Sequence, residues 1–210
     1  MVKNKKFLIS YKLFFGLLGF SAIVTEIATL VERGKFIPVN FFSYFTIENN
    51  ILISAVFLLS ALAVAANYRS RSLDVLRALA TVLILVVGVG FIVLLSDMEG
   101  AAFTAVPWDN TVLHYIMPIV ALLDLLIDRP TFMLSFGRSL LVLLYPVAYV
   151  VYSLVRGAIT GWYPYPFINP NIKGYGSVMT TIFGLLALGL VLIWCVTAIS
   201  GSKAKKRTRA

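Results

Sequence analysis

VLRALATVLILVVGVGFIVLL, from Val75 to Leu95, holds one charged residue, Arg77, and matches the roughly 20 residues that a helix needs to cross a bilayer. The stretch is predicted to span a membrane. Five further apolar segments resemble it in length: about Tyr11–Leu30, Phe41–Ala66, Thr111–Ile127, Phe136–Val155 and Tyr175–Ile199. The predicted fold class is therefore all-α, a polytopic membrane protein with one six-transmembrane-helix bundle over residues 1–210, leaving no room for a separate soluble domain.

Composition agrees with that reading. Of 210 residues 60% are hydrophobic and 13% charged, about half the charge of a soluble domain. One cysteine excludes a disulfide-stapled module, and Cys195 in the last segment is expected to serve packing. The first segment carries Glu26 and no small-x-small cleavage pattern, so it reads as a retained span and not a signal peptide.

The formal net charge of +9 is distributed by side. With a cytoplasmic N-terminus, Lys3, Lys5, Lys6, Lys12, Arg69, Arg71, Arg77, Arg129, Arg138, Lys203, Lys205, Lys206, Arg207 and Arg209 fall on the inner side. Only Arg33, Lys35, Arg156 and Lys173 fall outside. The positive-inside rule then predicts an integral protein of the plasma membrane with both termini cytoplasmic and the loops Val31–Asn40, Ser96–Asn110 and Arg156–Gly174 facing outward. The basic tail is expected to meet anionic lipid headgroups and not nucleic acid.

Two connections have their own signals. Asp109-Asn110 is expected to cap the fourth span, whose inner end is marked by Asp128-Arg129-Pro130. Trp162-Tyr163-Pro164-Tyr165-Pro166-Phe167 is too proline-rich for helix and is expected to lie along the outer surface.

Polar groups are costly in hydrocarbon, which makes their depth informative. Thr46 lies five residues into the second span and His114, the single histidine, five residues beyond Asp109, so both are expected about 7.5 Å deep in the outer leaflet. At about 100° per residue Ser43, Thr46, Asn50 and Ser54 form one stripe that excludes Glu48. Asn110, His114, Met117, Ala121 and Asp124 form another that excludes Asp109, so a carboxylate orienting His114 has to come from elsewhere. Glu26, Glu48 and Asp97 are the candidates. Tyr145, Tyr149, Tyr152 and Arg156 form a third stripe, which reads equally as aromatic packing with a snorkelling arginine. Ser, Thr and Asn on such stripes also serve simply as interhelical hydrogen-bond partners.

Three stretches carry a resemblance: Asn40-Phe41-Phe42-Ser43-Tyr44-Phe45-Thr46-Ile47-Glu48-Asn49-Asn50-Ile51-Leu52, Trp108-Asp109-Asn110-Thr111-Val112-Leu113-His114-Tyr115-Ile116-Met117-Pro118, and Gly161-Trp162-Tyr163-Pro164-Tyr165-Pro166-Phe167. The chain resembles prokaryotic six-span membrane proteins related to the eukaryotic androgen-induced-gene membrane hydrolases. That resemblance implies an intramembrane threonine hydrolase of fatty acid esters of hydroxy fatty acids, or similar lipid esters. It puts the nucleophile at Thr46 and the base at His114. Asn50, one turn along, is then expected to donate to the oxyanion, and Arg156 to bind a substrate carboxylate. No cofactor or metal is expected. Two other classes stay open: a small transporter or channel with a proton or ion path through Glu26, Glu48, Asp97 and His114, and a lipid-binding protein without turnover.

Overall fold

The structure, a computed structural model, describes residues 4–97, 104–130 and 132–207. Lys3, Arg209 and the middle of the Ser96–Asn110 connection lie outside the described residues. Helices account for the architecture, and no strand occurs among the described residues. Six of the helices are long and apolar enough to cross a membrane: α1 (Lys5–Glu32), α3 (Phe45–Ala65), α4 (Arg71–Leu94), α5 (Pro107–Ile127), α6 (Phe136–Thr160) and α7 (Pro170–Arg207). A one-turn helix, α2 (Pro38–Phe41), precedes α3. The chain is thus an all-α membrane protein with a six-span bundle.

Several boundaries differ from the sequence reading for local reasons. The second span starts at Phe45 and not Phe41, because Pro38 opens a separate turn and Tyr44 is extended (φ −80°, ψ 124°). The fourth starts at Pro107, whose fixed φ suits a first helical position, so Val106 is the N-cap and Asp109 sits buried in the first turn. Asp109-Asn110 is therefore not the cap. The sixth span begins at Pro170 and kinks at Gly174 (φ 71°).

The start of α1 and the last turns of α7 lie at one end of the bundle, called here the terminal end. There Lys5 Nζ donates to Ala65 O at 2.8 Å, and Leu134 N to Ser200 Oγ at 3.0 Å. The same end holds a buried ion cluster. Lys12, fully buried on α1, pairs with Asp124 of α5, and its Nζ is 3.3 Å from Asp128 Oδ2. Arg77 of α4 donates to Asp74 Oδ1 at 2.9 Å and through Nε and Nη2 to Asp124 Oδ2 at 3.1 and 2.7 Å. Arg69 reaches Asp128 Oδ1 at 2.6 Å. Three cations meet three carboxylates, so charges that are costly in a low-dielectric interior are offset by partners, and α1, α4 and α5 are tied together. Lys12, Arg69 and Arg77, counted above as topology charges, thus also serve inside the fold.

Above the cluster the packing is apolar. Ala22 of α1, Ile53 and Phe57 of α3, Ile84 of α4, and Leu113, Met117 and Ala121 of α5 form a core in which each is at most 1% exposed. Lipid is as apolar as these side chains, so close fit and not burial from water has to hold the spans together. Gly88 shows this directly: a Cβ there would stand 2.8 Å from Pro118 Cγ and 3.1 Å from the His114 carbonyl oxygen, so α4 lies directly on the α5 backbone beside His114.

Candidate functional site

α5 is not a uniform α-helix. Val112–Ile116 is a π-segment, and the Met117 N–H bonds the Val112 carbonyl, five residues back. Pro118 has no N–H to give. The Leu113 carbonyl, which would take Met117 N–H in a regular helix, instead takes Asn50 Nδ2 from α3 at 3.1 Å. The Asn50 amide also donates to Thr46 O at 2.9 Å. With both N–H groups on backbone carbonyls, Asn50 has none left for an oxyanion, and it does not line the cavity described below. It is a brace between α3 and the π-segment.

The π-segment presents His114, 4% exposed, toward the start of α3. His114 Nε2 lies 3.4 Å from Thr46 Oγ1, and Nδ1 lies 3.1 Å from the Asn110 carbonyl. A carbonyl only accepts, so Nδ1 carries the proton and Nε2 turns its lone pair to Thr46. The Phe91 ring stacks on the imidazole, with centroids 3.9 Å apart and planes 24° apart, and fixes its tilt. The orienting group is thus a backbone carbonyl of the same helix, not a carboxylate. Among the three acids considered, Glu26 accepts the Ala105 N–H on both oxygens (2.9 and 2.7 Å), Glu48 takes the Tyr145 hydroxyl, and Asp97 is exposed beside Ser96.

Thr46 occupies the second position of α3, where a backbone N–H has no helical acceptor. Tyr165 supplies one: its hydroxyl accepts the Thr46 N–H at 3.1 Å and is 3.2 Å from Thr46 Oγ1. The N–H can only donate, so the phenolic proton is free to point at Oγ1 while the threonine proton points at His114. Donors then run in one direction, from Tyr165 to Thr46 to His114, with Nδ1–H on Asn110. Burial pushes the Tyr165 phenol up to about 12, against the opposing effect of its bonds with Thr46, so it stays a donor at neutral pH.

Tyr165 is a residue that reading the sequence missed. The loop that holds it was expected on the surface. Instead Gly161, in the left-handed region (φ 73°), ends α6, and the chain turns inward so that Tyr165 is 7% exposed against Tyr44, Phe91 and Leu95. Its pattern, aromatics among prolines, is also that of an interfacial loop, and no local spacing distinguishes the two.

The Tyr145, Tyr149, Tyr152 and Arg156 stripe faces the α2–α3 corner as a row of hydrogen bonds. Tyr149 donates to the Ser43 carbonyl at 2.9 Å, and the Tyr152 hydroxyl is 3.1 Å from Ser43 Oγ. Arg156 donates to Asn40 Oδ1 at 2.6 Å and Ser43 Oγ at 3.0 Å, and lies 4.4 Å over the Trp162 ring. Its guanidinium is committed to this corner and does not line the cavity at Thr46. The cations that do line it are Arg33 and Lys35, two of the four basic residues on that side of the sequence.

Two cavities meet at Thr46. A vestibule of about 360 Å³ has a mixed lining, in which Glu26, Arg33, Lys35, Tyr44 and His114 stand among apolar side chains such as Leu30 and Phe41. A slot of about 300 Å³ between α4, α6 and α7 is lined almost wholly by apolar side chains. Thr46, Leu95 and Tyr165 line both. No protein-family model, curated protein or solved structure matches the chain.

Proposed function

We propose that this chain is an intramembrane ester hydrolase with Thr46 as nucleophile and His114 as its base. The observation that carries the reading is the Thr46–His114 pair, 3.4 Å apart where a vestibule that holds charged groups meets an apolar slot. An amphipathic ester has the same division, and its carbonyl lies at the join. Thr46 and His114 are also the pair that the resemblance drawn from the sequence implies as nucleophile and base.

In the reaction, Thr46 Oγ1 attacks the acyl carbon and its proton passes to His114 Nε2. As Oγ1 bonds to carbon, the Tyr165 phenolic proton turns from Oγ1 to the developing oxyanion beside it, a role that Asn50, with both N–H groups on backbone carbonyls, does not fill. Collapse of the tetrahedral species gives acyl-Thr46, and Nε2 returns the proton to the departing alcohol. Water from the vestibule then loses a proton to Nε2 and attacks the ester carbon, and collapse releases the acid while Nε2 returns that proton to Thr46 Oγ1. The 3.4 Å separation closes by a few tenths of an ångström to reach ordinary hydrogen-bond length, a tightening common when substrate binds.

The substrate class is a membrane lipid or fatty ester. The basic terminal end faces the cytoplasm and anionic headgroups, and the site opens on the outer side of the plasma membrane. A transport path finds less support: Tyr115–Leu123 carries no charged side chain, and Asp124 beyond it is held by Lys12 and Arg77.

Hydrolysis of p-nitrophenyl esters by the purified protein in vesicles tests the reading. Thr46→Ala, His114→Ala and the double variant should each lose activity to a similar extent, since either member is idle without the other. Full activity in Thr46→Ala would overturn it.

A further inference from the structure

We propose that the apolar slot is a ruler for the acyl half of the ester, with Gly189 and Leu143 at its deep end; this rests on the hydrolase reading above. On α7, Met179, Leu186 and Gly189 lie on one slot-lining face, and the distance from Met179 to Gly189 is about 15 Å at the helical rise. At about 1.25 Å of advance per carbon of an extended chain, set by a C–C bond near 1.5 Å, that length holds roughly twelve carbons. Along α4 and its C-cap the lining runs from Leu95, which like Thr46 also lines the vestibule, to Val82. The nucleophile therefore stands at the shallow end of the slot, and an acyl chain attached to Thr46 has the slot in front of it. The alcohol half, which leaves first, is on the vestibule side, where water enters.

Glycine at 189 leaves room at the deep end. A Cβ there would stand 2.9 Å from Leu143 Cδ2, the mobile end of a residue that also lines the slot. A larger residue at 189 would fill the end of the slot from one wall, and a larger one at Val86 would block its middle from another. A chain moving from bilayer to slot leaves one apolar medium for another, so burial does not favour ever longer chains. Selection has to come from contact and exclusion, and the slot's volume sets the limit.

The test uses the full chain in vesicles with p-nitrophenyl butyrate, laurate and palmitate. Wild type should prefer laurate over palmitate, and Gly189→Leu and Val86→Phe should each lower the laurate-to-butyrate ratio of kcat/KM at least tenfold. Unchanged ratios in both variants, with hydrolysis still dependent on Thr46, would overturn the ruler and leave the hydrolase reading standing. A second measurement does not need turnover. A diazirine-bearing dodecanoic acid, photolysed with Thr46→Ala protein, should label α4 and α7 peptides that line the slot, and Val86→Phe should reduce that labelling severalfold. Slot labelling without hydrolysis of any ester would keep the acyl site and remove the hydrolase reading, whereas labelling elsewhere, or labelling insensitive to Val86→Phe, overturns the ruler.

Discussion

The hydroxyl of Tyr165 lies 3.1 Å from the backbone nitrogen of Thr46 and 3.2 Å from its Oγ1. One group thus caps the start of α3 and touches the Thr46 hydroxyl, two jobs that a phenylalanine removes together. Tyr165→Phe keeps the ring packing on Tyr44 and Phe167 and removes the donor and acceptor. Stability should fall by about 1 kcal/mol, the cost of a lost helix cap. The rate constant kcat should fall by about 10²-fold or more, as for other lost oxyanion donors. An unchanged kcat would show that Tyr165 is a cap alone.

Asn50 and Pro118 give opposite signatures. Asn50→Leu strips the Thr46 and Leu113 carbonyls of their amide donor, and leaving buried acceptors unmade costs about 1–3 kcal/mol. Its thermal midpoint in detergent should drop. Pro118→Ala restores an N–H to α5 and lets the π-segment relax toward regular helix, which turns His114 away from Thr46. Hydrolysis should fall at least tenfold while the thermal midpoint holds or rises; full activity would show that the π-segment does not position His114.

The ion cluster should govern stability and not turnover. Asp124→Ala leaves Lys12 buried with its main partner gone, at a cost of about 3–5 kcal/mol. Asp128 adds a pH dependence. Burial alone would raise its carboxyl, but Arg77, Lys12 and Arg69 outweigh this and hold it below the usual carboxylate range. A depressed pKa gives stability that is present above the unfolded value of about 3.9 and lost as pH falls through the folded one. The thermal midpoint should be level from neutrality to about pH 4 and fall below it, and Asp128→Asn should flatten that fall. An equally steep acid limb in Asp128→Asn would contradict the assignment.

Anionic substrates should report on Arg33 and Lys35 and not on Arg156. The first two line the vestibule, whereas Arg156 is spent on Asn40, Ser43 and Trp162. The double change Arg33→Ala/Lys35→Ala should raise KM about tenfold for esters bearing a free carboxylate and leave neutral esters near wild type, with the difference shrinking in high salt. Arg156→Ala should depress both substrate types alike. A selective loss in Arg156→Ala would restore the carboxylate role that the sequence suggested.

The spans were legible because an apolar run of bilayer length has few other uses, as Val75–Leu95 shows. Helical phase set Thr46 apart from Glu48 and His114 apart from Asp109, but the five-residue depths did not hold, because α3 starts at Phe45 and the fourth span at Pro107. What escaped depends on distant contacts. Lys12 and Asp124 are 112 residues apart, and charge counted by side does not reveal that they pair. Tyr165 is 119 residues from Thr46, and only the turn at Gly161 brings it inward. The orienter of His114 is the Asn110 carbonyl, a backbone group that every residue carries and that no side-chain pattern marks.

Acyl transfer to Thr46 would leave a covalent mark, and the mass of the protein caught during turnover reads it. Wild-type protein quenched with acid while hydrolysing p-nitrophenyl laurate should carry one lauroyl group on the peptide containing Thr46, and Thr46→Ala and His114→Ala should carry none. Continued turnover with no adduct, or with the adduct on a different residue, would contradict the account.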